Sequence, residues 1–414
     1  MKAGSSKQNV ISSSASGKVI LIGEHAVVYG HPALISTIDL EVSCEIRPNN
    51  NNYLKIHSDS DYKTGIVNSA VNLANIAIQS PLSTAKLTAK HAARYTARKL
   101  RKEARYTWRQ LQEFYDLARV KFDKYTADSD RQHLDLLSSD WYAYSKIAIQ
   151  ETVLELNLPK KFGQKLGLDI TLDSEVPVGG FGSSTAIIVA IVRAVAQYGE
   201  RKLTPSNVYR IAHRVETMLR GTASGADEAT IAYTGLIKFR KNLENPDAGP
   251  FIQQLELPTA ADSMLQCLVI DSGRPKYTTG EVVAWLKDRR ASANKEIEAA
   301  FSRLAELTFK IELALQSLDH LNFRDAIAEA GELLIKLGIV TPETLELINK
   351  LKRVASQAVF KVSGAGSIGF NFAGAVNTGG SGAVLCFAPP EQMLSLQSYL
   401  DKLAINYYPT ALAQ

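Results

Sequence analysis

The sequence predicts an α+β protein built in two parts. Three observations carry this. Short β-branched runs alternate with helical periodicities along the chain. A polar, turn-rich stretch over residues 242–250 divides it. Three Gly/Ser-rich segments, far apart, interrupt the pattern where strands give way to loops or helices.

Residues 18–22, 33–38 and 40–47 are rich in β-formers, and Pro48 with the asparagines after it makes a turn. Residues 54–57 read as the next strand. Apolar spacing over 140–156 predicts a helix, and 167–173 alternates as a half-buried strand does. A glycine loop then feeds the apolar run 185–192, a buried helix. Residues 208–219 form a further helix and 231–239 a strand. The second part opens with a strand at 266–271, followed by helices over 281–315, 323–337 and 342–357. Thr341, Pro342 and Glu343 make a helix start: a capping hydroxyl, a proline in the first turn and an acid near the positive dipole end. Strands at 358–362 and 383–387 flank the last glycine segment, and a final helix closes the chain.

With 414 residues the chain is ample for a core, and 45% hydrophobic with 21% charged residues is ordinary for a soluble protein. No apolar run approaches the ~20 residues of a membrane span. The polar start, Met1-Lys-Ala-Gly-Ser-Ser-Lys-Gln-Asn9, lacks the apolar centre of a signal peptide. Cys44, Cys267 and Cys386 are dispersed and odd in number, which argues against a disulfide framework or zinc site. The expectation is a cytoplasmic protein with no membrane partner.

Residues 82–126 stand apart. Leu100, Ala104, Trp108, Leu111, Tyr115, Ala118 and Phe122 recur at three- and four-residue spacing, predicting an amphipathic helix or a pair of them. This stretch carries eight surplus positive charges, whereas the whole chain is +5, so the remainder is mildly acidic. Such a surplus suits nucleic acid, steers anionic substrates or pairs with an acidic face of another subunit. The plain reading, a solvated face whose Lys and Arg stems lie over apolar surface, is preferred. No nucleic-acid partner is expected, and a homodimer is left open.

The glycine segments carry the chemistry. They are Gly17-Lys-Val-Ile-Leu-Ile-Gly-Glu-His-Ala-Val-Val-Tyr-Gly30, Pro177-Val-Gly-Gly-Phe-Gly-Ser-Ser184 and Lys361-Val-Ser-Gly-Ala-Gly366. A Gly/Ser loop that feeds a helix start presents unpaired N–H groups and the helix dipole to an anion. The P-loop pattern is absent. Gly364-Ala-Gly-Ser-Ile-Gly369 fits a dinucleotide fingerprint, but no convincing helix follows it.

Together the three segments resemble the motifs of the GHMP small-molecule kinases, and the first is most similar to the mevalonate kinase branch. Gly221-Thr-Ala-Ser-Gly-Ala-Asp227 is similar to a fourth family segment. The resemblance covers most of the chain except 82–126. It implies two α+β domains, an N-terminal α/β domain over 1–245 and a C-terminal ferredoxin-like domain over 246–414, with 82–126 as a helical insertion. It implies transfer of the γ-phosphoryl group of ATP, with Mg²⁺, to a small alcohol or hydroxy acid, above all the 5-hydroxyl of mevalonate.

Residue by residue, the resemblance makes Asp227 the catalytic base and Lys18 its cationic partner. Pro177, Gly179, Gly180, Gly182, Ser183 and Ser184, with Gly364, Ala365 and Gly366, become the ATP cradle. Ser184 and Glu216, eleven residues before Asp227, become the Mg²⁺ ligands. Glu24, His25 and Thr279 fall on the substrate side.

Several positions depart from the family pattern. The middle loop is one residue short. Ser16 and Ala223 stand where Pro is common, Arg220 where His is usual, and Glu228 where Asn is usual. Residues 367–378 interrupt the third motif as an inserted hairpin would. The competing readings are another GHMP kinase, acting on phosphomevalonate or a sugar, and a GHMP-like scaffold that binds nucleic acid or a partner through 82–126.

Overall fold

The structure, a computed structural model, describes residues 10–49, 51–58, 103–138, 140–158, 167–177, 179–292, 294–369 and 379–413. In chain order the first elements are β1 (Ile11–Ile22), β2 (Ala33–Asn49), β3 (Leu54–Ser58) and β4 (Glu103–Tyr106). Helices α1 (Trp108–Asp128), α2 (Gln132–Ser138) and α3 (Ala143–Glu155) precede β5 (Gly167–Ser174). Next come α4 (Ser183–Tyr198), α5 (Pro205–Arg220), α6 (Ala226–Tyr233), β6 (Leu236–Arg240) and β7 (Phe251–Gln254). The last part holds β8 (Gln266–Asp271), α7 (Thr279–Ser292), α8 (Asn294–Ser317), α9 (His320–Lys336) and α10 (Pro342–Val354). It ends with β9 (Val359–Val362), β10 (Ala383–Phe387), α11 (Pro390–Lys402) and β11 (Tyr407–Ala411).

The chain divides into two compact units that interleave along the sequence. The first comprises 1–15, 41–178 and 183–223; the second comprises 16–40, 179–182 and 224–414. The boundary expected near residue 245 therefore falls inside the second unit.

In the first unit the strands run β4-β3-β5-β2, and β3 pairs with β5 in parallel while the other pairs are antiparallel. Helices α1, α3, α4 and α5 pack together; Ile188, Val189, Ile191 and Val192 of α4 and Ile147 and Ile149 of α3 are wholly buried. Fully burying side chains of this size stabilises by ~1.5–3 kcal/mol each.

The structure differs from the expected basic helical insertion. Residues 82–102 lie outside the described residues. Residues 103–106 form a strand, not a helix, pairing with β3 from Leu54↔Tyr106 to His57↔Glu103. From Trp108 the expected helix is present, started by a Thr107–Gln110 capping box. Its apolar stripe faces the core: Leu111, Tyr115 and Ala118 are buried. The Tyr115 hydroxyl donates to Glu151, which also pairs with Arg214 of α5. Arg109, Arg119 and Lys124 are exposed, as the solvated-face reading expects.

In the second unit β8–β11 form a four-stranded antiparallel sheet in the order β11-β8-β10-β9. Numbered within the sheet this is 4-1-3-2. With helices after its first and third strands it is the βαββαβ ferredoxin-like arrangement that was expected. Helix α9 packs on β9 and α8 packs on α9.

Three further expectations change. Residues 33–38 and 40–47 are one strand; Asp39, which reads as a break, is held by Thr410 of β11 through side chain and backbone. Residues 231–233 belong to α6 rather than to a strand, because Gly225 starts a short alanine-bearing helix that ends at Thr234 (φ 62°). Residues 281–315 are two helices rather than one. All three cysteines are free and buried, and burial pushes their thiols well above the ordinary range. No described helix is long and apolar enough to cross a membrane.

Candidate active site

In the second unit, Lys18 lies near the end of β1, a strand buried from Val19 through Ile22 except at Ile20. Its ammonium sits 2.9 Å from Asp227 Oδ1. The Lys18 side chain is 4% exposed and that of Asp227 36%, so the carboxylate faces outward from a buried cation. Asp227 also sits in the first turn of α6, where the helix dipole favours an anion. The middle glycine loop completes this group. The Lys18 N–H donates to the Phe181 carbonyl at 2.8 Å. Gly182 has φ +73°, and a Cβ there would meet Lys18 Cγ at 2.9 Å and Ile231 Cδ1 at 3.2 Å. Glycine is required at 182 by both conformation and space.

The first and third motifs meet beside it. The Ile20 N–H donates to Ser363 Oγ at 2.9 Å, and the His25 Nε2–H donates to the Ala365 carbonyl at 2.9 Å. That bond fixes the ring as the Nε2–H tautomer, and burial pushes the His25 pKa below its ordinary value. His25 adopts φ 58°, an uncommon conformation for a non-glycine residue, and the Ala365 bond helps to hold it. Glu24 is wholly buried and paired with the equally buried Lys361. Lys361 Nζ also donates to the carbonyls of Val362 (2.8 Å) and Ile20 (3.2 Å). Burial drives the Glu24 pKa up and the Lys361 pKa down. Thr279 stands exposed at the start of α7, and no hydrogen bond among the described residues ties it to this group.

In the first unit, α4 begins at Ser183, directly after the glycine loop. Its first-turn N–H groups have no intrahelical acceptors. The Ser184 hydroxyl donates to Glu216 Oε1 at 3.0 Å, and the Thr185 hydroxyl donates to the same oxygen at 2.8 Å. Glu216 lies on the buried face of α5. Arg220, one turn further, places Nε 2.7 Å from Glu216 Oε2.

Among the described residues no cluster of three or more His, Cys, Asp or Glu side chains is poised for a metal. One carboxylate and one hydroxyl still fit Mg²⁺, which takes hard oxygens and keeps waters and phosphates as its remaining ligands. The guanidinium already beside Glu216 shows that this position accepts a cation.

Sequence reasoning paired Lys18 with Asp227 and Ser184 with Glu216, and the structure brings each pair together. It missed Lys361 and Thr185. Lys361 carried a signal: a lysine at a strand position flanked by apolar residues needs a buried acid.

Residues 147–235 match the GHMP kinases N terminal domain. That stretch of the chain is therefore similar to the N-terminal domain of the GHMP kinases, a class of small-molecule kinases. The chain as a whole is similar to mevalonate kinases. It is 25% identical to the Pyrococcus horikoshii mevalonate kinase over 385 residues, covering 92% of this chain and 89% of that one. It is 24% identical to the Methanocaldococcus jannaschii mevalonate kinase over 393 residues, covering 94% and 96%. The fold matches the Methanococcus jannaschii mevalonate kinase structure with a TM-score of 0.67 at 19% identity, covering 99% and 100% of the two chains. It matches an L. major mevalonate kinase in complex with R-mevalonate with a TM-score of 0.66 at 17% identity, covering 100% and 98%.

Proposed function

We propose that this protein transfers the γ-phosphoryl group of ATP to the 5-hydroxyl of mevalonate. The observation that carries the reading is the 2.9 Å Lys18–Asp227 pair, supplied by two motifs more than two hundred residues apart. Similarity to mevalonate kinases over 92% of the chain supports the acceptor.

Phosphoryl transfer depends mainly on positioning and charge neutralisation. Asp227 accepts the acceptor's hydroxyl proton at its partly exposed carboxylate. Lys18 orients that carboxylate and offers a cation to the transferring group. Gly179, Gly180, Gly182, Ser183, Ser184 and residues 364–366 cradle the triphosphate through backbone N–H groups, and Pro177, which has no N–H to offer, constrains the entry to the loop. Ser184 and Glu216 would hold Mg²⁺, which would supply charge neutralisation on the phosphates. His25 and Glu24 shape the acceptor side through the first-motif turn, and Thr279 contributes from the start of α7. The cytoplasm is the compartment this reading implies.

A coupled ADP-release assay over mevalonate, phosphomevalonate and galactose tests the acceptor. Turnover is expected with mevalonate alone; turnover confined to another acceptor overturns it. Glu216→Gln should shift the Mg²⁺ activation curve to higher concentration. An unmoved curve with normal turnover would remove Glu216 from the metal site.

A further inference from the structure

Arg220 is the last residue of α5, and its guanidinium engages both proposed metal ligands at once. Nη2 donates to Ser184 Oγ at 2.9 Å, while Nε lies 2.7 Å from Glu216 Oε2 and 3.1 Å from the Tyr144 hydroxyl. The Ser184 hydroxyl meanwhile gives its proton to Glu216 Oε1. A serine hydroxyl has one proton and two lone pairs; Arg220 takes one of the pairs, so a divalent ion on the other would share the oxygen with a guanidinium at hydrogen-bond distance. The Glu216 side chain is 4% exposed and that of Arg220 46%. The acid is fixed in the interior, and the cation lies over it from the solvent side.

From this arrangement we infer that Arg220 is a resident cation at the metal position and must release Ser184 before a divalent ion binds. The inference rests on the reading of Ser184 and Glu216 as metal ligands. A buried carboxylate without a partner is costly, and Arg220 meets that need in the nucleotide-free protein. The same charge repels an arriving divalent cation at short range. Free metal therefore binds weakly. A triphosphate changes the balance, because its oxygens offer the guanidinium's N–H groups new acceptors as it leaves Ser184. The device couples metal binding to nucleotide binding and makes Arg220 a positioning residue for the metal.

The test titrates Mn²⁺ into nucleotide-free protein and follows free Mn²⁺ by electron paramagnetic resonance. Removing the charge with Arg220→Gln should tighten Mn²⁺ binding by roughly tenfold or more, the effect of one close charge at a partly screened site. Arg220→Lys, which keeps the charge, should stay near wild type. Adding Glu216→Gln to Arg220→Gln should abolish the gain. If Arg220→Gln folds only with metal, its refolding midpoint against Mn²⁺ reads the same affinity; failure of Mn²⁺ to rescue it overturns the inference. Unchanged affinity in a folded Arg220→Gln also overturns it. In that case Glu216→Gln, measured with Mn²⁺ and ATP together, separates the two claims. Weakened binding leaves the metal ligands standing, and unchanged binding removes them as well.

Discussion

Asp227→Asn lowers kcat by roughly 10²–10⁴, the usual contribution of a positioned general base, while ATP binding and the fold are retained. The substitution is nearly isosteric and Asp227 is partly exposed, so little packing is lost. What disappears is the acceptor for the hydroxyl proton and the charge facing the Lys18 ammonium at 2.9 Å. The amide still offers an oxygen to Lys18, which keeps the cation near its place. KM for ATP should therefore move much less than kcat. Steady-state kinetics with a nucleotide-binding titration decide the matter. A variant with more than about a tenth of wild-type kcat makes the 18–227 pair a structural ion pair.

Much of the second unit was legible because its strands are buried. Ala383–Phe387, apolar at every position, was read to the residue. The strands that escaped are β4, β7 and β11, each at an edge of its sheet. Edge strands bury fewer side chains and tolerate charge and proline: β4 reads Glu-Ala-Arg-Tyr, and β11 carries Pro409. Periodicity cannot find them, since the partner strand holds the information. The same limit explains residues 82–126. The sequence placed the apolar stripe of α1 correctly but read the whole stretch as a helical insertion standing apart. Tyr115 and Leu111 instead pack into the first unit, and Tyr125 lies where a Cβ on Gly221 would sit, 2.3 Å from its ring. Replacing all of 82–126 with a linker would open that core.

Site pairs were legible where two motifs each supplied half of a known chemistry. They were not where the partner was defined only by burial, and Lys361 is the case with the largest consequence. Lys361→Met should cost roughly 3–5 kcal/mol at neutral pH, the usual effect of leaving one member of a buried pair uncompensated. Glu24 and Lys361 are both 0% exposed, and Glu24 Oε2 has no hydrogen-bond partner among the described residues. Lys361 also ties Ile20 to the third motif, so the first- and third-motif loops should loosen together. The pH dependence follows from burial. Desolvation already raises the Glu24 pKa with Lys361 opposing it, and in the variant that opposition is gone. A carboxyl whose folded pKa is raised contributes stability that is full below its ordinary value and is lost as pH rises through the folded value. The Lys361→Met deficit should accordingly be smallest near pH 4.5 and grow toward pH 8. Combining it with Glu24→Gln, which removes the orphaned charge, should recover most of the loss at pH 8. Urea unfolding of both single variants and the double variant at the two pH values measures this. A deficit independent of pH, or single-variant losses that simply add, would mean that the pair carries no net charge interaction in the folded protein.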